Sequence, residues 1–425
     1  MEIHDLYAIF LQHPSVQTDT RKLQPGDLFF ALKGPNFNGN KFAQEALNAG
    51  AAFVVIDEAA GFKDIRLIST GDALQTLKQL AKYHRQQFTI PFIAITGSNG
   101  KTTTKELIHE VLSSTYKTYT TKGNLNNHIG IPLTILSVQK DAELAVIEMG
   151  ANHQKEIESY CAYTLPTHGI ITNCGKAHLE GFGGMEGVKK GKGELYNYLR
   201  ATDGVAFIMT DYTYLKEMSK GISKIKTYGT QDAEITGIAA TTNEFLDVQM
   251  TNGTDLKNIT THLVGAYNLP NVLVAVAVGK YFKVPEQKIK NALEQYTPCN
   301  SRSQMIEKNG NKIILDAYNA NPSSMKAAIE NFAGMGGQNK ILLLGGMMEM
   351  GDESLAEHTA LIDLIANYTW KNVVLVGGDF NKIPHPYLYF NNSTKAKEWL
   401  QLQPLDNAMV LIKGSRSMQM EKVLE

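Results

Sequence analysis

The 425-residue sequence predicts an α/β protein of three domains. The chain is longer than a domain with a single hydrophobic core usually is. Its short apolar runs alternate with amphipathic segments, and several of those runs end in glycine. We expect a small N-terminal α/β domain (1–88), a central P-loop domain (89–298) with a mostly parallel sheet and appended antiparallel strands, and a C-terminal Rossmann-like domain (299–425).

The N-terminal segment shows the alternation of a small α/β unit. A run dense in aromatic and aliphatic residues at 26–32 predicts a buried strand, and the polar stretch 34–40 predicts a turn. A helix is expected around Lys41 to Ala49, a strand at 52–56, and a second helix from about Asp72 to Arg85.

The segment 96–104 predicts a phosphate-binding loop, because it lies between an apolar run at 92–95 and a helical pattern. Its two glycines let backbone N–H groups turn inward, and the start of the helix adds a positive dipole. Lys101 can reach the outer phosphates of a nucleoside triphosphate, and the adjoining hydroxyl can bind Mg²⁺. Ile95 replaces the first glycine of the full Walker pattern, so the prediction depends on the strand–loop–helix context.

Apolar runs at 144–147, 169–172 and 205–209 predict further strands of the central domain. Their alternation with helices indicates a mostly parallel sheet, whose ligands bind beyond the carboxyl ends of the strands. From Lys224 to Val264 the pattern changes to short, alternating, threonine-rich runs, which predict antiparallel strands. A helix from about Leu269 to Tyr281 follows.

Three apolar runs that end in glycine mark the C-terminal domain, at 341–346, 373–378 and 409–414. A strand that ends in a flexible corner is typical of a doubly wound sheet at the point where it approaches a nucleotide or a second substrate. These runs therefore predict a Rossmann-like domain.

Composition disfavours several classes of partner. A formal net charge of -1 gives no reason to expect nucleic acid or an anionic membrane. Cys161, Cys174 and Cys299 form no CxxC pair, which favours a reducing cytosol.

The N-terminus lacks a signal-peptide pattern, and no apolar stretch approaches membrane-spanning length. We expect a cytoplasmic protein without membrane insertion, and we also expect a monomer.

Two polar residues follow predicted strands, where a metal bound to a triphosphate would lie. Glu148 comes directly after the run 144–147, in the place of a Walker-B-type acid, although a glutamate that ends a strand is more often solvated. His178 follows the next strand and is either a metal ligand or a structural hydrogen-bonding residue.

Two further stretches are polar without a single chemical interpretation. The lysines at 189, 190 and 192 form a short cationic run that is typical of a solvated helix face. The stretch 124–132 is dense in side-chain amides, which suit either turns or a polar ligand.

Nine segments in order along the chain resemble motifs of the Mur ligase family: TGSNGKTTTKE, TKGNLNNHIGIPLTIL, IEMGANHQKEI, NCGKAHLEGFGG, KGELY, GAYNLPN, SRSQ, DAYNANPSSM and GGMMEMGDESLAEH. The resemblance extends from about Thr18 to Arg416 and covers nearly the whole chain. Each segment alone is weak evidence, but the ordered set is specific. DAYNANP and EMGANH favour the branch that adds a dipeptide, because sister ligases that add a single amino acid carry different versions.

The resemblance implies an ATP-dependent ligase that joins D-alanyl-D-alanine to UDP-N-acetylmuramoyl-tripeptide in peptidoglycan precursor synthesis. ATP would phosphorylate the terminal carboxylate of the tripeptide, and the dipeptide amine would then displace phosphate from the acyl phosphate. The implied cofactors are ATP and two Mg²⁺ ions. This chemistry requires charge neutralisation at the γ-phosphate and exclusion of water, which closure of the three domains would provide.

The resemblance also implies residues for catalysis, nucleotide and metal. Catalysis would involve Lys101, Lys192, His178 and Arg302. The ATP ligands would be Gly97, Ser98, Asn99, Gly100, Lys101, Thr102, Thr103, Asn268, Asn271, Arg302 and Asp316. The Mg²⁺ ligands would be Thr102, Glu148, His178 and Lys192, the last as a carbamate, which converts a cation into a metal-binding anion.

Two further groups correspond to the substrate sites of the family. The UDP-muramoyl-peptide would contact Thr20, Arg21, Asn38, Gly39, Asn124, Asn126 and Asn127. D-alanyl-D-alanine and the acyl phosphate would meet near Tyr318, Asn319 and Asn321. The chain departs from common family patterns in having NGN at 38–40 instead of DGH, and GAYN instead of GRHN, which places Tyr267 where histidine is usual.

Two other classes of function are compatible with parts of the sequence. A related amide ligase would add a single amino acid or belong to the folylpolyglutamate type, but the segments DTR and GDLFFAL argue against the folate branch, which lacks such a uridine-nucleotide domain. A P-loop ATPase or binding protein without ligation would leave DAYNANP unexplained. The motifs are compatible with either diaminopimelate or lysine as the third residue of the substrate peptide.

Overall fold

The computed structural model describes residues 1–240, 244–299, 301–337, 339–403 and 405–425. It contains three main sheets, of four, nine and six strands, each flanked by helices. The predicted three-domain α/β architecture is therefore confirmed. Within the described residues, no helix combines the length and hydrophobicity needed to cross a membrane.

The N-terminal sheet is parallel, with strand order β1-β2-β5-β6. Its strands and a separate antiparallel pair, β3 with β4, are β1 (Val16–Gln17), β2 (Leu28–Phe30), β3 (Lys33–Gly34), β4 (Phe37–Asn38), β5 (Phe53–Ile56) and β6 (Leu67–Ser69). The helices are α1 (Ile3–Gln12), α2 (Ala43–Asn48) and α3 (Ala73–Arg85). Helix α3 begins where the Asp72 carboxylate accepts the Gln75 N–H at 2.9 Å, and it leads directly into the central domain.

The central sheet has nine strands in the order β15-β14-β13-β12-β11-β10-β7-β9-β8. They are β7 (Phe92–Thr96), β8 (Thr118–Thr120), β9 (Leu144–Glu148), β10 (His168–Ile171), β11 (Val205–Met209), β12 (Lys224–Gly229), β13 (Ile235–Ala240), β14 (Phe245–Asn252) and β15 (Asn258–Val264). The helices are α4 (Lys101–Ser113), α5 (Gly130–Leu136), α6 (Glu156–Thr164), α7 (Leu179–Phe182), α8 (Met185–Ala201), α9 (Thr213–Met218), α10 (Leu269–Tyr281) and α11 (Glu286–Gln295).

One expectation about this sheet was wrong. The segment from Lys224 was expected to be antiparallel, but β12 pairs in parallel with β11, with Lys224 opposite Val205, and also in parallel with β13. Among the described strands of this sheet, only the pairs β13–β14 and β14–β15 are antiparallel. An alternating pattern indicates a strand that is exposed on one face, whatever the direction of its neighbours. Strand β12 is half-exposed along most of its length, yet both of its neighbours run parallel to it.

The order of the central strands places the phosphate loop at the middle of the sheet. All five residues of β7 are buried, as expected for a parallel strand covered on both faces. Its register sets Ile95 beside Glu148 of β9 and Thr96 beside Ile171 of β10. The carboxyl ends of three strands therefore meet at the loop that follows β7.

The C-terminal sheet has the order β16-β17-β21-β18-β19-β20 and is parallel except for the hairpin β16–β17. Its strands are β16 (Gln304–Lys308), β17 (Asn311–Asp316), β18 (Lys340–Gly345), β19 (Asn372–Val376), β20 (Leu388–Phe390) and β21 (Met409–Lys413). The helices are α12 (Pro322–Gly334), α13 (Ser354–Ala366) and α14 (Ser393–Gln401). The three predicted strand–glycine units are β18, β19 and β21.

Candidate active site

A cavity of about 640 Å³ lies between the central and C-terminal domains. Most of the residues that the family resemblance singles out line it: Ser98, Asn99, Gly100, Lys101, Thr102, Thr103, Asn126, Asn127, Glu148, His178, Asn268, Asn271, Arg302, Asp316, Tyr318, Asn319 and Asn321. The fold thus brings together segments more than 200 residues apart in the sequence. Polar groups from the phosphate loop, three central strands and the C-terminal domain converge on one space.

The phosphate loop forms the floor of this cavity. Helix α4 starts at Lys101, so its free N–H groups point towards the loop. The Lys101 ammonium donates to the Gly97 carbonyl at 2.8 Å and the Ser98 carbonyl at 3.1 Å, and burial lowers its pKa to about 8. Gly100 has a φ of 78°, and a Cβ there would lie 2.7 Å from the Asn271 side-chain oxygen. Only glycine fits that close approach between the loop and α10.

Residues beyond strand β10 brace the loop from the other side. The Asn173 side-chain oxygen accepts the Asn99 N–H at 3.0 Å, while the Thr172 hydroxyl donates to the Asn99 carbonyl at 2.6 Å. The Ser98 hydroxyl donates to the Gly175 carbonyl at 3.0 Å. Asn173 is not among the predicted site residues, although its position directly after a predicted strand could have indicated it. The backbone of Asn99 is therefore held, and its side chain projects towards the C-terminal domain.

Thr102 and Glu148 provide oxygen atoms beside the loop. The Thr102 hydroxyl donates to the Glu148 carboxylate at 2.9 Å, and the Asn126 amide donates to the same carboxylate at 2.7 Å. Glu148 is the last residue of β9 and is 1% exposed, so the solvated alternative is wrong. No group of three or more His, Cys, Asp or Glu side chains in the described ranges is arranged to hold a metal. Mg²⁺ beside a triphosphate needs only one or two protein oxygens, because phosphate and water supply the rest, and this pair fits that requirement.

His178 and Lys192 occupy different positions. His178 lines the cavity, and its Nδ1 contacts the Glu349 carboxylate of the C-terminal domain. Lys192 lies below the cavity wall and is 1% exposed, so the prediction of a solvated helix face is wrong for this lysine. Its ammonium donates to the Ala151 carbonyl at 3.0 Å and lies 4.9 Å from the Phe182 ring centroid. Burial, together with the charge of Lys101, lowers the pKa of Lys192 to about 7.

Two asparagines at the start of α10 form a network with the phosphate-loop helix. The Asn271 amide donates to the Asn268 side-chain oxygen at 2.8 Å, and Asn268 donates to the Val264 carbonyl at 2.9 Å. The Thr104 hydroxyl of α4 donates to the Asn271 oxygen at 3.0 Å. Both asparagine side chains are therefore oriented by internal partners.

The C-terminal domain contributes an aspartate and an arginine. The Asp316 carboxylate accepts the Lys413 ammonium at 2.6 Å, and Lys413 is an almost fully buried residue at the end of β21. The Arg302 guanidinium carbon lies 3.5 Å from the centroid of the Tyr318 ring, a cation–π contact. Lys413 lies in the predicted run 409–414 but is not among the predicted site residues. Its position opposite Asp316 follows from the pairing of β17 with β21.

Asn321 connects the C-terminal domain to the phosphate loop. Its side-chain oxygen accepts the Ser324 N–H at 2.9 Å and caps α12, and its amide donates to the Asn99 side-chain oxygen at 2.7 Å. The Asn319 oxygen accepts the Ala320 N–H at 2.9 Å. The three predicted residues 318, 319 and 321 thus share one edge of the cavity.

Seven predicted site residues do not line this cavity: Thr20, Arg21, Asn38, Gly39, Gly97, Asn124 and Lys192. Arg21 is exposed and paired with Asp19 at 2.8 Å, and the Asn38 amide donates to Glu58 at 2.7 Å. Gly97 is part of the phosphate loop through its carbonyl contact with Lys101. The role of the N-terminal residues in binding a nucleotide sugar stays a prediction.

This arrangement, a strand–loop–helix phosphate site facing an aspartate and an arginine of a following Rossmann-like domain, defines a class of ATP-dependent ligase. The chain belongs to the Mur ligase family: residues 14–86 match its "Mur ligase family, catalytic domain" model, residues 95–279 the "Mur ligase middle domain" and residues 301–416 the "Mur ligase, glutamate ligase domain".

Individual relatives narrow the comparison within the family. The chain is 34% identical to the UDP-N-acetylmuramoyl-tripeptide–D-alanyl-D-alanine ligases of Bacillus subtilis and Escherichia coli, over 96% of this chain and 92% of each relative. Crystal structures of MurF from Acinetobacter baumannii and of MurF ligase from Thermotoga maritima in complex with ADP each superpose with a TM-score of 0.87. The first is 30% identical and the second 25%, and the superpositions cover 96% and 97% of this chain and 92% and 97% of those chains.

Proposed function

We propose that this protein joins D-alanyl-D-alanine to UDP-N-acetylmuramoyl-tripeptide, with conversion of ATP to ADP and phosphate. The observation that carries this proposal is the 34% identity, over nearly the whole chain, with relatives whose names state this activity. The interdomain cavity supports it, because a phosphate loop, a buried glutamate and an arginine face one another there. We further propose a cytoplasmic location, since the reaction consumes ATP and a nucleotide-linked precursor.

The phosphate loop would hold the triphosphate. Backbone N–H groups at the start of α4 and the Lys101 ammonium would stabilise the charge that develops as the γ-phosphoryl group moves to the substrate carboxylate. Arg302 would neutralise the same phosphates from the opposite domain. Asn268 and Asn271 would contact the adenine, and Asp316 would contact the ribose.

Mg²⁺ would be held by Thr102 and Glu148, and a second ion would involve His178. When bound, the metal would neutralise phosphate charge. The Glu148 carboxylate already accepts two hydrogen bonds and is held at the wall of the cavity, so its oxygens are oriented before any ligand arrives. The amide edge formed by residues 319 and 321 would lie beside the acyl phosphate, where the dipeptide amine attacks.

Lys192 would carry a carbamate. A carbamate forms when a neutral amine attacks CO₂ and loses a proton, so it needs a lysine that is uncharged near neutral pH. Burial supports this modification, and among the residues that the structure describes the hydrogen-bond partner of Lys192 is the Ala151 carbonyl and not a carboxylate. We expect the Lys192→Ala variant to be inactive and to regain activity with short carboxylates, whereas Lys189→Ala should behave as wild type. A Lys192→Ala variant with full activity and no rescue would eliminate the modification.

The proposed function is tested by a coupled phosphate-release assay with a panel of UDP-muramoyl peptides and amine acceptors. Phosphate release should require both UDP-muramoyl-tripeptide and D-alanyl-D-alanine, and Lys101→Ala should abolish it. Equal turnover with single D-amino acids would assign the chain to another branch of the family. ATP hydrolysis independent of any amine acceptor would favour an ATPase without ligation.

A further inference from the structure

A hydrogen bond between two hydroxyl groups joins the central and C-terminal domains at the cavity. The Tyr267 hydroxyl lies 3.1 Å from the Ser303 hydroxyl. Tyr267 belongs to a short 3₁₀ turn, Ala266–Asn268, that precedes α10, and Ser303 immediately precedes β16. Either hydroxyl can be the donor in this bond.

Ser303, which contacts Tyr267 through its hydroxyl, also contacts Asp316 at the end of β17 through its backbone. Its backbone N–H donates to one carboxylate oxygen of Asp316 at 3.2 Å, while Lys413 holds the other oxygen at 2.6 Å. The carboxylate is therefore fixed by two groups, one of which is positioned by Tyr267. The connection runs from the central domain to the proposed ribose ligand in two hydrogen bonds.

The segment 301–303 also positions Arg302. Ser301 and Ser303, on either side of it, both have left-handed backbone conformations, with φ of 56° and 47°. Non-glycine residues adopt such conformations only when surrounding contacts hold them. The Tyr318 N–H donates to the Ser301 carbonyl at 3.2 Å, and the Tyr318 ring stacks under the Arg302 guanidinium. Tyr267 provides the contact on the central-domain side.

The backbone around Tyr267 accommodates its ring. A Cβ at Gly265 would lie 2.3 Å from the ring, so a larger residue there would displace the tyrosine. Gly265 has a φ of 91°, which non-glycine residues rarely adopt. Tyr267 also precedes Asn268, whose side chain is fixed by Val264 and Asn271. One turn therefore carries both an asparagine proposed to contact adenine and the tyrosine that reaches the other domain.

We propose that Tyr267 is a positioning residue that, through Ser303, sets Asp316 and Arg302 at the correct distance from Asn268 for ATP binding. This inference rests on the proposed function, in which those three residues contact ATP. Tyr267 acts across the domain boundary, and the chain uses a tyrosine hydroxyl at a position where the family commonly has histidine.

The test compares Tyr267→Phe, Ser303→Ala and the double variant with wild type. Each single variant removes one hydroxyl, and we expect each to raise the KM for ATP about fivefold, as loss of one hydrogen bond does. The KM for D-alanyl-D-alanine should not change, and kcat at saturating ATP should stay within about twofold. The double variant should be no worse than either single variant, because both remove the same bond. Tyr368→Phe, which alters a tyrosine outside the cavity, is the matched control.

Two results would overturn the inference. An unchanged KM for ATP in both single variants would show that the hydroxyl pair does not position the ATP ligands. Multiplying effects, about 25-fold in the double variant if each single change gives fivefold, would show that the two hydroxyls act independently. The panel of amine acceptors, assayed with wild-type protein, tests the proposed function separately. The KM for ATP of each variant can be compared with that of wild type in the presence of whichever acceptor supports turnover.

Discussion

The two outer domains contact the central domain in different ways. The N-terminal junction is built around Arg85, a nearly buried residue at the end of α3. Its guanidinium donates to three backbone carbonyls, those of Thr164, Leu165 and Phe88, at 2.8 to 3.0 Å, and it lies 3.9 Å from the Phe92 ring centroid. Helix α3 packs on α5 and α6 of the central domain as well as on α1 of its own.

The C-terminal junction near the cavity is made of polar pairs. The Asn321 amide meets Asn99 at 2.7 Å, and the Lys176 N–H donates to the Ser323 hydroxyl at 3.1 Å. The Lys176 ammonium also forms an ion pair with Glu357. Several of these groups are partly exposed, so water can replace their partners when the domains separate.

This difference indicates which domain moves. Separating the N-terminal domain would take the Arg85 guanidinium away from the Thr164 and Leu165 carbonyls of the central domain, whereas separating the C-terminal domain exchanges polar pairs for water. We infer that the N-terminal and central domains form one rigid unit and that closure over ATP is a motion of the C-terminal domain.

The largest effect is expected from Arg85→Ala. It leaves three carbonyls without this donor, the one at Thr164 buried and those at Phe88 and Leu165 partly buried, which should cost about 3 kcal/mol of unfolding free energy. Both tryptophans, Trp370 and Trp399, lie in the C-terminal domain, so their fluorescence reports on that domain alone. In urea, the circular dichroism transition should shift while the fluorescence transition stays in place. Lys82→Ala, an exposed change on the same helix, should shift neither.

A fluorescence transition that moves together with the circular dichroism transition in Arg85→Ala would contradict the inference that the C-terminal domain is separate from a rigid unit of the other two domains. It would show that the C-terminal domain depends on the N-terminal junction and that all three domains unfold as one unit.

The local parts of the fold and site were predictable from sequence, whereas contacts between distant segments were not. The strand and helix around the phosphate loop, and α10 at Leu269–Tyr281, follow from hydrophobic patterns within one window. The parallel pairing of β12 and the burial of Lys192 depend on partners that no local pattern encodes. The Tyr267–Ser303 contact spans 36 residues and two domains, so only the assembled structure reveals it.

The second prediction concerns Asn321. In Asn321→Ser the serine still caps α12, but it is too short to reach Asn99. We expect kcat for ligation to fall about tenfold, with more phosphate released per product formed, because a looser closure admits water to the acyl phosphate. Asn99→Ala should have the same effect, and the double variant should add nothing. Full coupling of phosphate to product in both single variants would show that this pair does not maintain closure.

The third prediction concerns acid and the N-terminal junction. The buried His84 ring donates from Nε2 to the Val138 carbonyl at 2.8 Å and accepts at Nδ1 from the Tyr7 hydroxyl at 3.1 Å. Burial lowers its pKa, so the neutral form is the folded one. The stability it contributes is present above the usual pKa of histidine and is lost as the pH falls towards the lowered value. His84→Gln should reduce the acid sensitivity of the circular dichroism transition, and an unchanged pH dependence would contradict this.

The smallest effect is expected from Lys176→Gln, which removes a half-exposed ion pair with Glu357 and keeps the backbone bond to Ser323. Such pairs contribute at most about 1 kcal/mol and are screened by salt. The ligation rate should therefore fall no more than about twofold at low ionic strength and match wild type at high ionic strength. Lys382→Gln removes a comparable pair with Asp379 inside the C-terminal domain and should leave the rate unchanged at both. A tenfold loss in Lys176→Gln that persists in salt would mean that Lys176 acts on the substrates directly, and the C-terminal junction would then be part of the reaction site.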